Sequence, residues 1–81
     1  MSTSFIHDRI EINPKILAGK AVIKGTRIAV EFILELLSND WSHESILENY
    51  PQLEKLDILA AIDYARKIVK EEQIHPVEIE E

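Results

Sequence analysis

Both glycines of this chain fall within one fifteen-residue stretch, GKAVIKGTRIAVEFI, which spans residues 19–33. Glycine adopts positive φ more readily than any other residue, so Gly19 and Gly25 predict turns that separate short extended segments. The strand-like segments around these turns are RIEI, AVI and RIAV. Each is too short to be stable alone in water, so the segments must pack against helices or against a second copy of the chain.

Three helices are predicted after this stretch from the spacing of apolar residues. The first covers VEFILELLSND, and the third covers LEKLDILAAIDYARKIVKEE with Asp57 facing solvent. The second follows Trp41, has Ser42 as its N-cap and stops near Asn49, because Pro51 disfavours a helical conformation at the residue before it. The core stripe predicted for the first helix is Val30, Ile33, Leu34 and Leu37. The core face predicted for the third is Ile58, Ala61, Ile62, Ala65, Ile68 and Val69.

The 81 residues predict a single domain with a small core. We divide it into an N-terminal arm (1–9), a β segment (10–30), a three-helix unit (31–72) and an extended or disordered tail (73–81). The chain has no cysteine, so neither disulfides nor thiolate zinc sites can add stability, and we expect a homodimer to supply further burial. No apolar run reaches the ~20 residues of a membrane helix and no signal-like start is present, so we expect a cytoplasmic protein without membrane contact.

Charge is distributed unevenly along a chain whose net charge is −6. Residues 1–30 carry five Lys and Arg against two Asp and Glu, a net charge of +3, whereas residues 31–81 carry four against thirteen, a net charge of −9. Two interpretations stay open. The helices present solvated acidic faces and nothing more, or the N-terminal part forms a basic face with a partner of its own.

The basic N-terminal part contains the candidate binding residues. Gly25 suits a tight turn, and the Thr26 hydroxyl can bond to nearby backbone. Arg27 offers a planar fork of donors. It either pairs with a carboxylate, such as Glu31 or one on a neighbouring chain, and fixes the sheet to the first helix, or it joins the lysines in a surface that binds phosphate or carboxylate groups. The candidate DNA- or partner-binding residues are Lys15, Lys20, Lys24, Thr26 and Arg27.

Catalytic chemistry has little support in the sequence. His7, His43 and His75 are not spaced as i, i+3 or i+4, and no cysteine accompanies them, so no metal site is expected. Neither glycine-rich phosphate-binding motif is present, and no carboxylate pair stands out from the general acidity. We therefore expect no enzyme, no cofactor and no catalytic residue.

The segments INPKILAGKAVIKGTRIAVEFILELL and ESILENYPQLEKLDILAAIDYA resemble a prokaryotic family catalogued as domain-of-unknown-function family 433. The resemblance covers roughly residues 10–66 and rests on the GTRI and YPxL elements, with Gly19, Gly25, Tyr50 and Pro51 as structural positions of the motif. It implies a mainly α fold. That fold is a three-helix, helix–turn–helix-like bundle, homeodomain-like or winged-helix-like, with short N-terminal β strands.

The resemblance also implies an antitoxin-like protein of the VapB type. Such a protein silences a PIN-like nuclease toxin and binds its own promoter DNA as a homodimer. Ala21 and Ala29 depart from the family pattern by replacing Pro, and Glu54 replaces a Ser or Thr cap. Because Glu54 and Asp57 make the start of the third helix acidic, we expect any DNA to lie on the basic turn instead. The alternative function is a homodimeric interaction or structural module that does not bind DNA.

Overall fold

The computed structural model describes residues 7–72 of the chain. The fold is mainly helical, with a small antiparallel sheet at its N-terminal end. Its elements are β1 (Ile10–Ile12), β2 (Ala21–Ile23), α1 (Val30–Ser38), α2 (His43–Asn49) and α3 (Lys55–Glu72). Within this part of the chain, none of the helices has the length and apolarity that crossing a bilayer requires. The predictions for the tail (73–81) and for residues 1–6 of the arm lie outside the described residues.

The two strands pair in antiparallel register, with Ile10 opposite Ile23. The third extended segment predicted from the sequence, RIAV, is reduced to one isolated bridge between Ala29 and Val22. The prediction of a longer segment is wrong because helix α1 already begins at Val30. The β segment is therefore a small two-stranded platform with a single added bridge.

Both glycines have the positive φ that the sequence predicts, 84° at Gly19 and 85° at Gly25. In the turn after β2, the Thr26 N–H donates to the Ile23 carbonyl at 2.9 Å, and Gly25 occupies the position at which a type II turn requires positive φ. The Thr26 hydroxyl donates to the same carbonyl at 2.8 Å and accepts from the Ile28 N–H at 2.9 Å. The prediction that this hydroxyl bonds to nearby backbone is confirmed.

The connection between the strands contains three successive residues with positive φ, namely Leu17 at 50°, Ala18 at 57° and Gly19 at 84°. Only the glycine was expected to adopt this conformation. A residue with a Cβ atom adopts it at a cost of about 1–2 kcal/mol. The segment between β1 and β2 therefore stores backbone strain that the rest of the fold must offset.

The ends of α1 and α2 follow the predicted signals. Asp40, just past α1, has a φ of 70°, the left-handed conformation that commonly terminates a helix. The Ser42 hydroxyl accepts from the Ser45 N–H at 3.0 Å and caps α2. Tyr50, with φ −129° and ψ 73°, is no longer helical, which confirms the predicted stop before Pro51.

The core lies where α1, α2 and the first half of α3 meet β2. Its buried side chains are Ile23, Val30, Ile33, Leu36, Ile46, Leu53, Ile58 and Ala61. The predicted stripe of α1 is confirmed at Val30 and Ile33. Its remaining members, Leu34 and Leu37, pack against this core but are only half-buried, whereas Leu36 is buried, so the buried face is centred on Ile33.

The core face predicted for α3 is confirmed at Ile58 and Ala61 and is wrong at Ile62, in the first half of the helix, and at Ile68 and Val69, in the second half. Ile58 and Ala61 are fully buried, but Ile62, Ile68 and Val69 are 40%, 41% and 67% exposed. For Ile68 and Val69 the reason is length, since α3 has 18 residues and α1 has nine. At 1.5 Å per residue, α3 is about 14 Å longer, and its second half extends past the elements that cover its first half.

Candidate functional site

The start of α3 is built around a buried carboxylate, that of Asp57, which is 5% exposed. The prediction that this residue faces solvent is wrong. Its Oδ2 accepts from the Glu54 N–H at 2.8 Å, which is one half of a capping box. Its Oδ1 accepts from Arg9 Nη1 at 2.9 Å, and the same nitrogen lies 2.9 Å from Glu54 Oε1. No local sequence signal predicts this arrangement, because Arg9 precedes Asp57 by 48 positions.

The hydrogen bond to Asp57, followed by the one to Glu54, raises the pKa of the Arg9 guanidinium above its ordinary value. A base whose pKa is raised on folding contributes stability that is fully present below its ordinary pKa and is lost only as the pH rises through the folded value. For an arginine that window includes every physiological pH. The acidic start of α3 is therefore tied to the N-terminal part of the chain, and its carboxylates serve the fold.

The predicted basic cluster is dispersed over different parts of the structure. Lys20 Nζ lies 2.6 Å from Oε2 of Glu31, in the first turn of α1. Glu31, the carboxylate suggested as an example of a partner for Arg27, is therefore paired with Lys20 instead. Lys24 lies near the start of α3 instead, where it lines a polar hollow of about 340 Å³ together with Asp57.

Three of the five candidate binding residues remain as exposed cations. The side chains of Lys15, Lys24 and Arg27 are exposed, and none of them forms an ion pair with another residue between positions 7 and 72. The Thr26 hydroxyl is engaged within its own turn. The turn after β2 therefore offers Lys24 and Arg27 to a partner.

The tyrosine and proline of the YP motif lie at the end of α2 and have structural roles. The Tyr50 ring packs edge-on against Phe32, with 5.5 Å between centroids and 86° between planes. It also contacts Trp41, whose centroid lies 6.4 Å away. The Tyr50 N–H donates to the Ile46 carbonyl at 2.8 Å. This small aromatic cluster therefore packs the segment between α2 and α3, which contains Tyr50, against α1 and against the segment between α1 and α2.

A second surface is open and apolar, although the sequence pattern predicted that its helical part belongs to the core. Two hollows flank the second half of α3. One, of about 380 Å³, lies between β2, α1 and α3, and the other, of about 570 Å³, lies between β1 and α3. Tyr64 and Ile68 line both, so the helix forms a ridge between them. We define the apolar face by the residues Ile10, Ile12, Ala21, Leu34, Tyr64, Ile68 and Val69.

The apolar face is exposed at its most prominent side chains. Ile12 is 58% exposed and Val69 is 67% exposed. Its charged residues are Lys20 and Glu31 beside the first hollow and Lys67 and Glu71 beside the second. One sequence signal could have predicted this surface. The apolar pattern of the third helix is longer than that of the first, so part of the third helix extends beyond it.

Metal chemistry is not suggested by the described part of the chain. Between residues 7 and 72, no three His, Asp or Glu side chains are grouped closely enough to hold a metal ion. The two candidate surfaces, the exposed cations on the turn after β2 and the apolar face, are suited to binding a partner.

Comparisons with known proteins identify the family. The family model described as Protein of unknown function (DUF433) matches residues 10–65. The crystal structure of a DUF433 member protein from Anabaena variabilis ATCC 29413, at 2.00 Å resolution, matches with a TM-score of 0.74 and 29% sequence identity. The match covers 82% of this chain and 65% of that chain, which is longer. No curated protein matches this chain. Because the family model spans more than half of its residues, the chain belongs to the DUF433 family.

Proposed function

We propose that this protein is an antitoxin-like regulatory protein that acts by binding a nuclease-type toxin as a homodimer, and not by catalysis. The observation that supports a binding role is the apolar face, where Ile12 and Val69 are more than half exposed beside two hollows. Exposed apolar side chains that are grouped around hollows are typical of a contact with another protein. The identity of the partner as a PIN-like nuclease comes from the family resemblance.

The test of this proposal is co-expression of the full chain with the product of the adjacent reading frame. We expect a nuclease-like protein to co-purify in a fixed ratio and its nuclease activity to fall as the chain is added. A neighbour that never co-purifies, and whose activity does not respond to the added chain, would overturn the antitoxin proposal.

Operator DNA is a second candidate partner, favoured by the exposed cations Lys24 and Arg27 on the turn after β2. In this proposal α2 and α3 form the helix–turn–helix-like pair predicted from the sequence. The DNA contacts Lys24 and Arg27 on the turn and not the start of α3, where Glu54 and Asp57, which line the same hollow as Lys24, are unfavourable for phosphate. Contacts to phosphate would hold the duplex in place without reading its sequence.

DNA binding is tested by titrating the promoter fragment at several salt concentrations. We expect the double variant Lys24→Ala, Arg27→Ala to flatten the salt dependence by about two units of slope, because each lost phosphate contact removes about 0.9. The matched control is Lys20→Ala, whose ammonium already pairs with Glu31 and whose loss should change the slope less. Binding that is unaffected by the double variant contradicts this DNA site. No salt-dependent binding at all favours the interaction module without DNA binding.

A further inference from the structure

We propose that the apolar face is the surface through which two copies of this chain form a two-fold symmetric dimer. This inference rests on the proposed function, because it takes the apolar face to be a protein contact, and it identifies the second copy as the occupant. Three properties of the face support a copy of itself over another partner: its charge, its shape and its size.

The charge of the apolar face differs from that of the chain. Two lysines, Lys20 and Lys67, and two glutamates, Glu31 and Glu71, line the hollows, so the ionisable groups of the face cancel. The whole chain has a net charge of −6. Two copies of so acidic a chain repel one another, and they approach most easily through a surface without net charge. A nucleic acid would instead require a basic surface.

The shape of the apolar face suits a two-fold axis. In such a contact the same patch serves both partners and must be complementary to itself. The face contains a ridge, formed by Tyr64 and Ile68 of α3, and a hollow on each side of that ridge. When two ridges lie side by side, each can enter a hollow of the other copy.

The size of the contact is compatible with the size of the protein. A standard interface covers about 800 Å² on each partner, roughly one seventh of the 5526 Å² that one chain exposes. In the proposed dimer a contact of that size covers both hollows and the ridge between them. Val69, which is 67% exposed, then lies within the buried region, where a charge without a partner is costly.

The first experiment measures the mass of the full chain by sedimentation over a range of concentrations. We expect a dimer for the natural sequence and a dissociation constant raised about 30-fold or more for Val69→Glu, the loss expected at a central contact. The matched control is Leu56→Glu. Leu56 is 40% exposed in the first turn of α3, away from the apolar face, and its substitution should leave the dimer intact. Circular dichroism of both variants verifies that they fold.

The second experiment uses the charges of the face. The variant Lys20→Glu, Lys67→Glu makes the face acidic, and Glu31→Lys, Glu71→Lys makes it basic. We expect each variant alone to be monomeric, because like charges meet across the two-fold axis, and a mixture of the two to form a heterodimer. Two variants that stay monomeric on mixing would contradict the proposal. So would two variants that each dimerise as tightly as the natural chain.

The outcomes separate this inference from the proposed function. A natural chain that is monomeric at every concentration overturns the dimer surface. If that monomer binds the neighbouring gene product and Val69→Glu abolishes the complex, the apolar face belongs to the toxin and the antitoxin proposal stands. A dimer broken by Val69→Glu, in a chain that binds no neighbour, supports the dimer surface and removes the antitoxin function.

Discussion

The two halves of α3 have the same apolar spacing and opposite surroundings. In the first half, Ile58 and Ala61 are fully buried and Asp57 is 5% exposed with its charge paired. In the second half, Ile68 and Val69 are 41% and 67% exposed. Periodicity indicates which side of a helix is apolar. The length of the neighbouring elements decides how far along the helix the chain itself can cover that side.

The ion pair at the start of α3 and the one near its middle also differ in what a charged side chain contributes to stability. Arg9 and Asp57 approach to 2.9 Å with side chains that are 28% and 7% exposed. Arg66 and Asp63 approach to 3.0 Å with side chains that are 60% and 24% exposed. Similar distances therefore correspond to different contributions to the free energy of unfolding. An exposed pair is screened by solvent, whereas removing one partner of a buried pair leaves the other charge uncompensated.

The largest expected effect is that of Ile58→Ala, which removes a fully buried side chain and leaves a cavity. We expect the free energy of unfolding to fall by about 3 kcal/mol. The matched control is Ile62→Ala, the same substitution one turn later at a position that is 40% exposed, for which a loss of about 1 kcal/mol is expected. Urea unfolding at a fixed protein concentration measures both. Equal losses would show that the core extends further along α3 than the structure indicates.

The next effect is that of Asp57→Ala, which removes both the ion pair with Arg9 and the hydrogen bond to the Glu54 N–H. We expect a loss of about 2–3 kcal/mol, or a fall in melting temperature of roughly 10–20 °C for a chain of this size. Glu54→Ala is the control. It removes a carboxylate at the same 2.9 Å distance from Arg9 that is 70% exposed, and it should cost less than about 1 kcal/mol.

A smaller difference should appear in amide hydrogen exchange along α3. In the Val69→Glu variant, which we expect to be monomeric, amides near Ile68 should exchange at least about tenfold faster than those near Ala61. The physical reason is that the second half of the helix can open locally while the first half opens only with the core. Uniform protection along α3 would mean that the helix behaves as one unit, and the contrast between its halves would disappear.

The smallest effect is expected for Arg66→Ala. Its Nε lies 3.1 Å from Asp63 Oδ1, but the arginine side chain is 60% exposed. We expect a loss of less than about 0.5 kcal/mol, and one that shrinks further as salt is added. Thermal unfolding at low and high ionic strength provides the measurement. A loss as large as that of Asp57→Ala would show that burial does not distinguish the two ion pairs.

Local features of this fold could be predicted from the sequence because their signals are close in the chain. Positive φ at Gly25, the cap of α2 by Ser42 and the stop before Pro51 each depend on residues within a few positions of one another. The buried face of α1 was partly predicted, because its spacing was clear but the rotation that buries Leu36 depends on the helices packed around it.

The remaining features depend on residues that are far apart in the sequence. In the sequence, nothing distinguishes Asp57 from the other acidic residues. Its role becomes visible only in the fold, which places Arg9 beside it. In the sequence, the basic residues form one cluster. The fold separates them, because Lys20 is directed toward Glu31 and Lys24 toward the start of α3. The apolar face was missed for a similar reason, because Ile68 has the same spacing as buried residues and only the extent of other elements leaves it uncovered.

The contact between Arg9 and Asp57 also has a consequence for how the protein is made. Its partners are 48 positions apart, and a ribosome that adds 5–20 residues per second needs about 2–10 s to synthesise that interval. During this time β1 and β2 have emerged without the helix that holds them, and strands so short are not stable alone. These strands therefore remain unfolded on the nascent chain, accessible to chaperones and proteases, until the start of α3 has been synthesised and can pair with Arg9.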